Sequence, residues 1–130
     1  MENQAKKARL FYTEEHEWVE VLNETTVRIG ITEFAVDQLG DIVYVELPEV
    51  DDQLKLEDEF ATVESVKSTS GIYAPLDGKV TQVNNLLEDE PETMNEDPLG
   101  EGWLVEIESK TAVDTSALLD LAAHEAFIEE

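Results

Sequence analysis

Apolar and polar residues alternate with a period of two along much of the chain. Val27, Ile29 and Ile31 are interleaved with Thr26, Arg28 and Gly30; Val43, Val45 and Leu47 are interleaved with Ile42, Tyr44 and Glu46. Successive side chains of a strand point to opposite faces, so both runs predict half-buried strands. Residues 62–66, 72–74, 80–83 and 104–107 are further strand candidates, separated by Gly-, Pro- and Asp-containing turns. Residues 33–39 lie between Thr32, a cap residue, and Gly40, a stop, and predict two turns of helix. Helical spacing of Leu118, Leu121, Ala122 and Ala126 predicts a C-terminal helix over about 115–129, capped by Asp114, Thr115 or Ser116. Residues 84–98 are acidic, carry Pro91 and Pro98, and read as a long loop or a distorted helical turn. The pattern predicts one mainly β domain, a sandwich or barrel, over residues 10–130. Residues 1–9 read as a flexible extension.

Composition narrows what such a domain can do. The 130 residues include 32 acidic and 8 basic side chains, for a formal net charge of −24, and no cysteine. Thiol nucleophiles, disulfides and thiolate metal sites are therefore excluded, and two histidines make an imidazole-built metal site a poor expectation. Nucleic acid and anionic membranes are not expected partners, because binding phosphate takes clustered Lys and Arg. Three of the eight bases, Lys6, Lys7 and Arg9, fall in the first nine residues. That segment lacks the apolar stretch of a secretory signal, so the expectation is a cytoplasmic monomer kept soluble by its charge.

Constellations for catalysis are not evident. There is no Gly-x-Ser-x-Gly elbow, Gly100-Glu101-Gly102 reads as a turn, and acidic runs read as solvated faces. His124 falls within the predicted C-terminal helix as an exposed or half-buried residue. Lys67 differs. It sits in Glu64-Ser65-Val66-Lys67-Ser68-Thr69-Ser70-Gly71, between two strand candidates, with no other base between Lys55 and Lys79. Ser, Thr and Gly directly after it favour a turn. One amine would then stand at a hairpin tip on a negative body. An ordinary surface lysine is the plain alternative. An exposed amine with a pKa near ~10.4 is a poor base or nucleophile at neutral pH, so its use would be as an attachment point.

Six ordered blocks resemble the lipoyl-carrying H protein of the glycine cleavage system. They are His16-Glu17-Trp18-Val19, the run from Gly30 to Ala35, the run from Gln38 to Pro48, Val63-Glu64-Ser65-Val66-Lys67, Tyr73-Ala74-Pro75, and Asn95-Glu96-Asp97-Pro98 followed by Gly100-Glu101-Gly102-Trp103. The resemblance spans roughly residues 10–129. It differs from biotin carriers, which typically flank the lysine with methionine. It differs also from 2-oxoacid dehydrogenase lipoyl domains, which lack the His-Glu-Trp segment and the C-terminal helix.

The resemblance implies a barrel-sandwich hybrid of the lipoyl/biotinyl-domain type, with a short internal helix and a C-terminal helix. It implies lipoate amide-linked to Lys67, which removes one positive charge and takes −24 to −25. Such a chain is a carrier and not an enzyme. It shuttles the aminomethyl group of glycine from a pyridoxal-phosphate glycine dehydrogenase to a tetrahydrofolate-dependent aminomethyltransferase. An FAD-containing dihydrolipoamide dehydrogenase then reoxidises the arm, and a lipoate-attaching enzyme is a further partner. Glu64 and Gly78 match positions important for lipoyl attachment in the wider superfamily. Glu17 matches a glutamate beside the cleft that receives the loaded arm, the alternative being one more surface acid. His16, Trp18 and Trp103 are expected to pack the core or cleft wall.

The sequence departs from the pattern in three places. Many relatives carry an acid four residues after the lysine that helps hold the loaded arm. Here that residue is Gly71, with Ser70 the nearest polar replacement. Glu57-Asp58 stands for the usual Gly-Asp, and Phe60-Ala61 for Phe-Gly. Two other functions use the same surface: a relay donating lipoyl or octanoyl groups to 2-oxoacid dehydrogenase domains, and an unmodified acidic adaptor indifferent to Lys67.

Overall fold

The computed structural model describes residues 10–113 and 118–129. In chain order the elements are β1 (Phe11–Tyr12), β2 (Glu17–Val21), β3 (Thr26–Ile31), α1 (Glu33–Leu39), β4 (Ile42–Glu46), β5 (Gln53–Leu54), β6 (Glu59–Ser65), β7 (Thr69–Tyr73), β8 (Gly78–Val83), α2 (Leu86–Asp89), α3 (Thr93–Glu96), β9 (Val105–Glu108) and α4 (Leu121–Glu129). One sheet has the order β1-β2-β3-β9-β8-β5 and the other β4-β6-β7. The inward residues of both sheets form one core. Val27, Ile29, Val105 and Ile107 come from the larger sheet, and Val45, Val63 and Ile72 from the smaller. This is a β-rich sandwich with short helices and a C-terminal helix, as expected.

The period-two reading holds for β3, where Val27, Ile29 and Ile31 are buried. It misplaces β4. Ile42 pairs with Ser65 and Tyr44 with Glu64, so Val43 is the extra residue of a bulge. The bulge breaks the alternation, so Ile42 and Val45 are buried while Val43 and Tyr44 are half exposed.

Helix α1 matches its prediction. The Thr32 side chain accepts from Ala35 N, and Gly40 closes the helix at φ 81° with its N–H bonded to Val36 O. A residue with a β-carbon is strained at that φ. Helix α4 begins later than predicted, at Leu121. Leu119 and Tyr12 exchange N–H···O bonds of 2.8 Å, which holds residue 119 extended, and Asp120 Oδ1 accepts from Ala123 N at 2.9 Å. Asp120 therefore does the capping. The predicted caps Asp114, Thr115 and Ser116 lie outside the described residues. His124 is buried instead of exposed, because its ring stacks on Tyr12 at 4.3 Å with the planes 8° apart. Residues 84–98, read as loop or distorted helix, form the two short helices α2 and α3, which bury Leu87 and Met94 in the core.

Candidate functional site

Strands β6 and β7 form a hairpin whose register runs from Glu59↔Tyr73 to Glu64↔Thr69. Ser65 organises its tip. Its Oγ accepts from Lys67 N and Ser68 N at 3.1 Å each and donates to Ser68 O at 3.1 Å. Ser65 N also donates to Ser68 O at 2.8 Å, so one side chain and one short bond close the turn. The tip is braced against the segment between α1 and β4. Val66 N donates to Asp41 O at 3.0 Å. Asn95 fixes that segment in turn, donating to Gly40 O at 2.8 Å and accepting from Ile42 N at 2.9 Å.

Lys67 is exposed at this tip. Its stem passes over Gly40, where a β-carbon would lie 3.3 Å from Lys67 Cε. The ion pairs among the described residues are Arg28–Glu106 and Lys79–Asp51, and Lys67 joins neither. Exposed Val43, Tyr44 and Val66 lie at the same end of the small sheet. The sequence places Lys67 at a turn but does not show which residues hold that turn. Ser65 two positions earlier was a legible signal; Gly40 and Asn95 were not, because they meet the tip only through tertiary contact.

The other candidates separate. Glu64 is exposed, opposite Thr69 on the outer face of the hairpin. Ser70 pairs with buried Val63 and so faces the other way from Gly71. It therefore does not stand on the position-71 side of the strand in place of the missing acid. Gly78 opens β8 in the other sheet, opposite Leu54. A β-carbon there would lie 2.5 Å from Ile107 Cγ2 and 2.7 Å from the Glu108 carbonyl oxygen. Backbone cannot yield as a flexible side chain does, so Gly78 has a packing reason to be glycine. Gly78→Ala is expected to destabilise the fold by about 1–3 kcal/mol in urea titrations.

Glu17 is no surface acid: it is 1% exposed. Its Oε2 accepts from Tyr73 N at 2.7 Å, at the free edge of β7, and its Oε1 accepts from Thr13 Oγ1 at 3.4 Å. Burial pushes its pKa up to about 8. The Tyr73 N–H pulls it down, while the charges of Glu15 and Glu57 push it up further. Burial, with Glu57 beside it, also raises Glu15. These three acids line a cleft of about 190 Å³ with Leu56, Ala74 and Pro75.

Both histidines make ring contacts. His16, at φ 66°, tilts against Phe34 with ring centroids 4.7 Å apart and meets His124 edge-on at 6.3 Å. Burial lowers its pKa. Trp18 is fully buried, donates Nε1–H to Pro98 O at 2.9 Å and presses on Gly30. Trp103 lies under the Arg28 guanidinium at 4.9 Å. Both tryptophans pack, as expected. Among the described residues no His, Asp or Glu cluster could hold a metal, and no helix is long and apolar enough to cross a membrane.

A β sandwich that displays a lysine on a turn braced by Ser65 and the Asp41 carbonyl has the form of a carrier domain: a scaffold that presents a group to other proteins. Comparison with known proteins agrees and is more specific. The family model described as glycine cleavage H-protein matches residues 10–130. A glycine cleavage system H protein of Anaeromyxobacter sp. (strain K) is 52% identical over 121 residues, covering 93% of this chain and 94% of that protein. That of Symbiobacterium thermophilum is 50% identical over 123 residues, covering 95% of each. A crystal structure of a glycine cleavage system H protein from Mycobacterium marinum superposes with a TM-score of 0.86 at 33% identity, covering 95% of this chain and 98% of that one. The chain belongs to the glycine cleavage H-protein family and is a non-catalytic lipoyl carrier.

Proposed function

We propose that Lys67 is the attachment point and carries lipoate in amide linkage. The observation that bears this reading is the tip itself: an exposed amine without a carboxylate partner among the described residues, on a turn held by Ser65 and by the Asp41 carbonyl. The residues fit the group. The stem is supported by Gly40, and nothing described closes over the amine. When bound, lipoate supplies a dithiolane that takes up the one-carbon unit and cycles between disulfide and dithiol.

This chain's residues supply position and shelter. The braced turn sets where the arm starts, so its far end visits successive enzymes at high effective concentration without release. Exposed Val43, Tyr44 and Val66 give those enzymes an apolar contact beside the arm's root. Glu64, in the last ladder pair before the tip and three residues before Lys67, is the acid nearest in sequence for the lipoate-attaching enzyme to read. The Glu17 cleft, floored by a carboxyl that keeps its proton to about pH 8, is a shielded place for the arm to rest. The partners on this reading are the decarboxylating glycine dehydrogenase, the aminomethyltransferase, dihydrolipoamide dehydrogenase and the attaching enzyme.

Intact-mass and peptide mass spectrometry of protein from lipoate-supplied cells containing the attaching enzymes is expected to find one lipoyl increment, on Lys67. An unmodified protein, or an increment on Lys55 or Lys79, overturns the assignment. Incubation with an acceptor domain of a 2-oxoacid dehydrogenase distinguishes a shuttle from a lipoyl relay: a shuttle leaves the acceptor unmodified.

A further inference from the structure

Beyond its first nine residues the chain holds five basic side chains, Arg28, Lys55, Lys67, Lys79 and Lys110, against a formal net charge of −24. Arg28 is bound to Glu106, and Lys67 stands on the hairpin tip. The other three line one cleft of about 490 Å³ at the β5 edge of the larger sheet. The sheet itself brings them together. Strand β8 lies between β5 and β9, and Lys79 pairs with Gln53 on one side and Glu108 on the other. Lys55 follows the end of β5 by one residue and Lys110 follows the end of β9 by two. Both neighbours run antiparallel to β8, so both deliver their lysines toward its Gly78 end.

Folding does not call for this convergence. Like charges repel when gathered, and in so acidic a chain lysines are better neutralised when dispersed. Among the described residues Lys55 and Lys110 join no ion pair, and Lys79 meets Asp51 loosely, at 3.7 Å with the aspartate side chain 78% exposed. Two acids share the cleft, but both have other neighbours. Asp77 Oδ1 accepts from Leu56 N at 2.7 Å, and Glu108 is the ladder partner of Lys79. Three ammonium groups against two carboxylates leave a local positive excess on a strongly negative protein.

The cleft's volume falls within the range of small-molecule sites, roughly 300–1,000 Å³. Half-buried Leu54 gives it an apolar wall, and Ser109 and Thr111 bring hydroxyl groups. Its cations are all lysines. An ammonium is a compact point charge that suits phosphate, whereas the flat carboxylate is matched by the arginine fork, which this cleft lacks.

We propose that this cleft binds a phosphorylated small molecule, its phosphate held by Lys55, Lys79 and Lys110 and its organic part laid against Leu54. A phosphate monoester carries a charge of about −1.5 to −2 at neutral pH and offers three acceptor oxygens, so it uses all three amines at once. Lys67 is not among the lining residues, and the site does not depend on lipoate there.

The test titrates the lipoylated full-length protein at low ionic strength with phenyl phosphate, inorganic phosphate and citrate, followed by NMR of backbone amides and lysine side chains. Phenyl phosphate is expected to shift residues 54–55, 77–79 and 108–111 saturably and to leave Lys67 unmoved. Its ring covers apolar surface at Leu54, so it is expected to bind at least about threefold more tightly than inorganic phosphate. Citrate is expected to bind more weakly than phenyl phosphate. Lys55→Gln, Lys79→Gln and Lys110→Gln are each expected to weaken binding about two- to fivefold, the range of an exposed ion pair, and the triple variant to abolish saturation. None of the three side chains is buried, so amide spectra away from the cleft should match the wild type. The Lys67→Arg protein is expected to bind phenyl phosphate like the wild type, which separates this site from the attachment reading. Inorganic phosphate binding as tightly as phenyl phosphate would mean an adventitious ion only and overturns the proposal. Citrate binding as tightly overturns the choice of phosphate. Shifts spread over all lysines, or a triple variant that binds like the wild type, overturn the site itself.

Discussion

Lys67→Arg is expected to abolish the lipoyl increment and, with it, all carrier activity, while the melting temperature stays within about 1–2 °C of the wild type. The side chain is exposed and its stem touches Gly40, so the substitution leaves packing intact, and surface changes of this kind cost about 0.5 kcal/mol or less. Arginine also keeps the positive charge. What it lacks is an amine that deprotonates to attack an activated acyl group, because the guanidinium stays protonated at any working pH. The loss is therefore chemical and not structural. Moving the amine by one residue, Lys67→Ser with Ser68→Lys, tests position separately. The Ser68 N–H and carbonyl are both tied to Ser65, so a lysine there leaves the turn in another direction. Lipoylation is expected to fall at least about tenfold, since small misplacements of reacting groups cost orders of magnitude in rate. An adaptor that works through its acidic surface alone would be indifferent to both variants.

Glu17→Gln is expected to change how stability depends on pH. In the folded protein Glu17 holds its proton to about pH 8, whereas its ordinary value is 4.5. Between these values the folded state binds more protons than the unfolded state. The stabilising difference is therefore complete below about pH 4.5 and is lost progressively as pH rises through 8. At about 1.4 kcal/mol per pKa unit, the wild type forfeits several kcal/mol from this group over that window. Glutamine keeps an oxygen for Tyr73 N–H and does not ionise, and Thr13 Oγ1 can accept from its amide. Urea titrations at pH 5, 7 and 9 are expected to give similar stabilities for the two proteins at pH 5. The variant should be ahead by about 2–4 kcal/mol at pH 9. Parallel pH profiles would show that Glu17 is ionised in the folded state.

The same two residues mark how far reading the sequence reached. Lys67 was legible because its signals are local: one base in a long acidic stretch, turn formers directly after it, strand patterns on either side. Glu17 was legible as a member of the His-Glu-Trp block but not as a buried acid, because its burial depends on Tyr73, 56 residues away, offering an edge N–H. The burial of His124 is invisible in the sequence for the same kind of reason. Nothing near it in the chain foretells stacking on Tyr12, a residue of the first strand.

Register was the other limit. The sequence pattern placed strands at β3, β4, β6, β7, β8 and β9, and caps placed α1 between Thr32 and Gly40. Two bulges, at Val43 and Phe60, then changed which residues face out. A bulge adds one residue to one strand, and its position is chosen by the partner strand and by core packing, neither of which the period-two pattern contains. The bulge at Val43 turns that side chain to solvent beside exposed Tyr44 and Val66, and the bulge at Phe60 carries Glu59 onto Gly71.

From the order of residues alone came the β-rich class of fold and an amine displayed at a turn, since both follow from local composition and spacing. The three-dimensional packing alone assigned the bracing of the tip to Gly40, Asp41 and Asn95, the proton to Glu17 and the seat of the Glu59 carboxylate. These are contacts between segments far apart in the chain, and they exist only once the two sheets have closed on a common core.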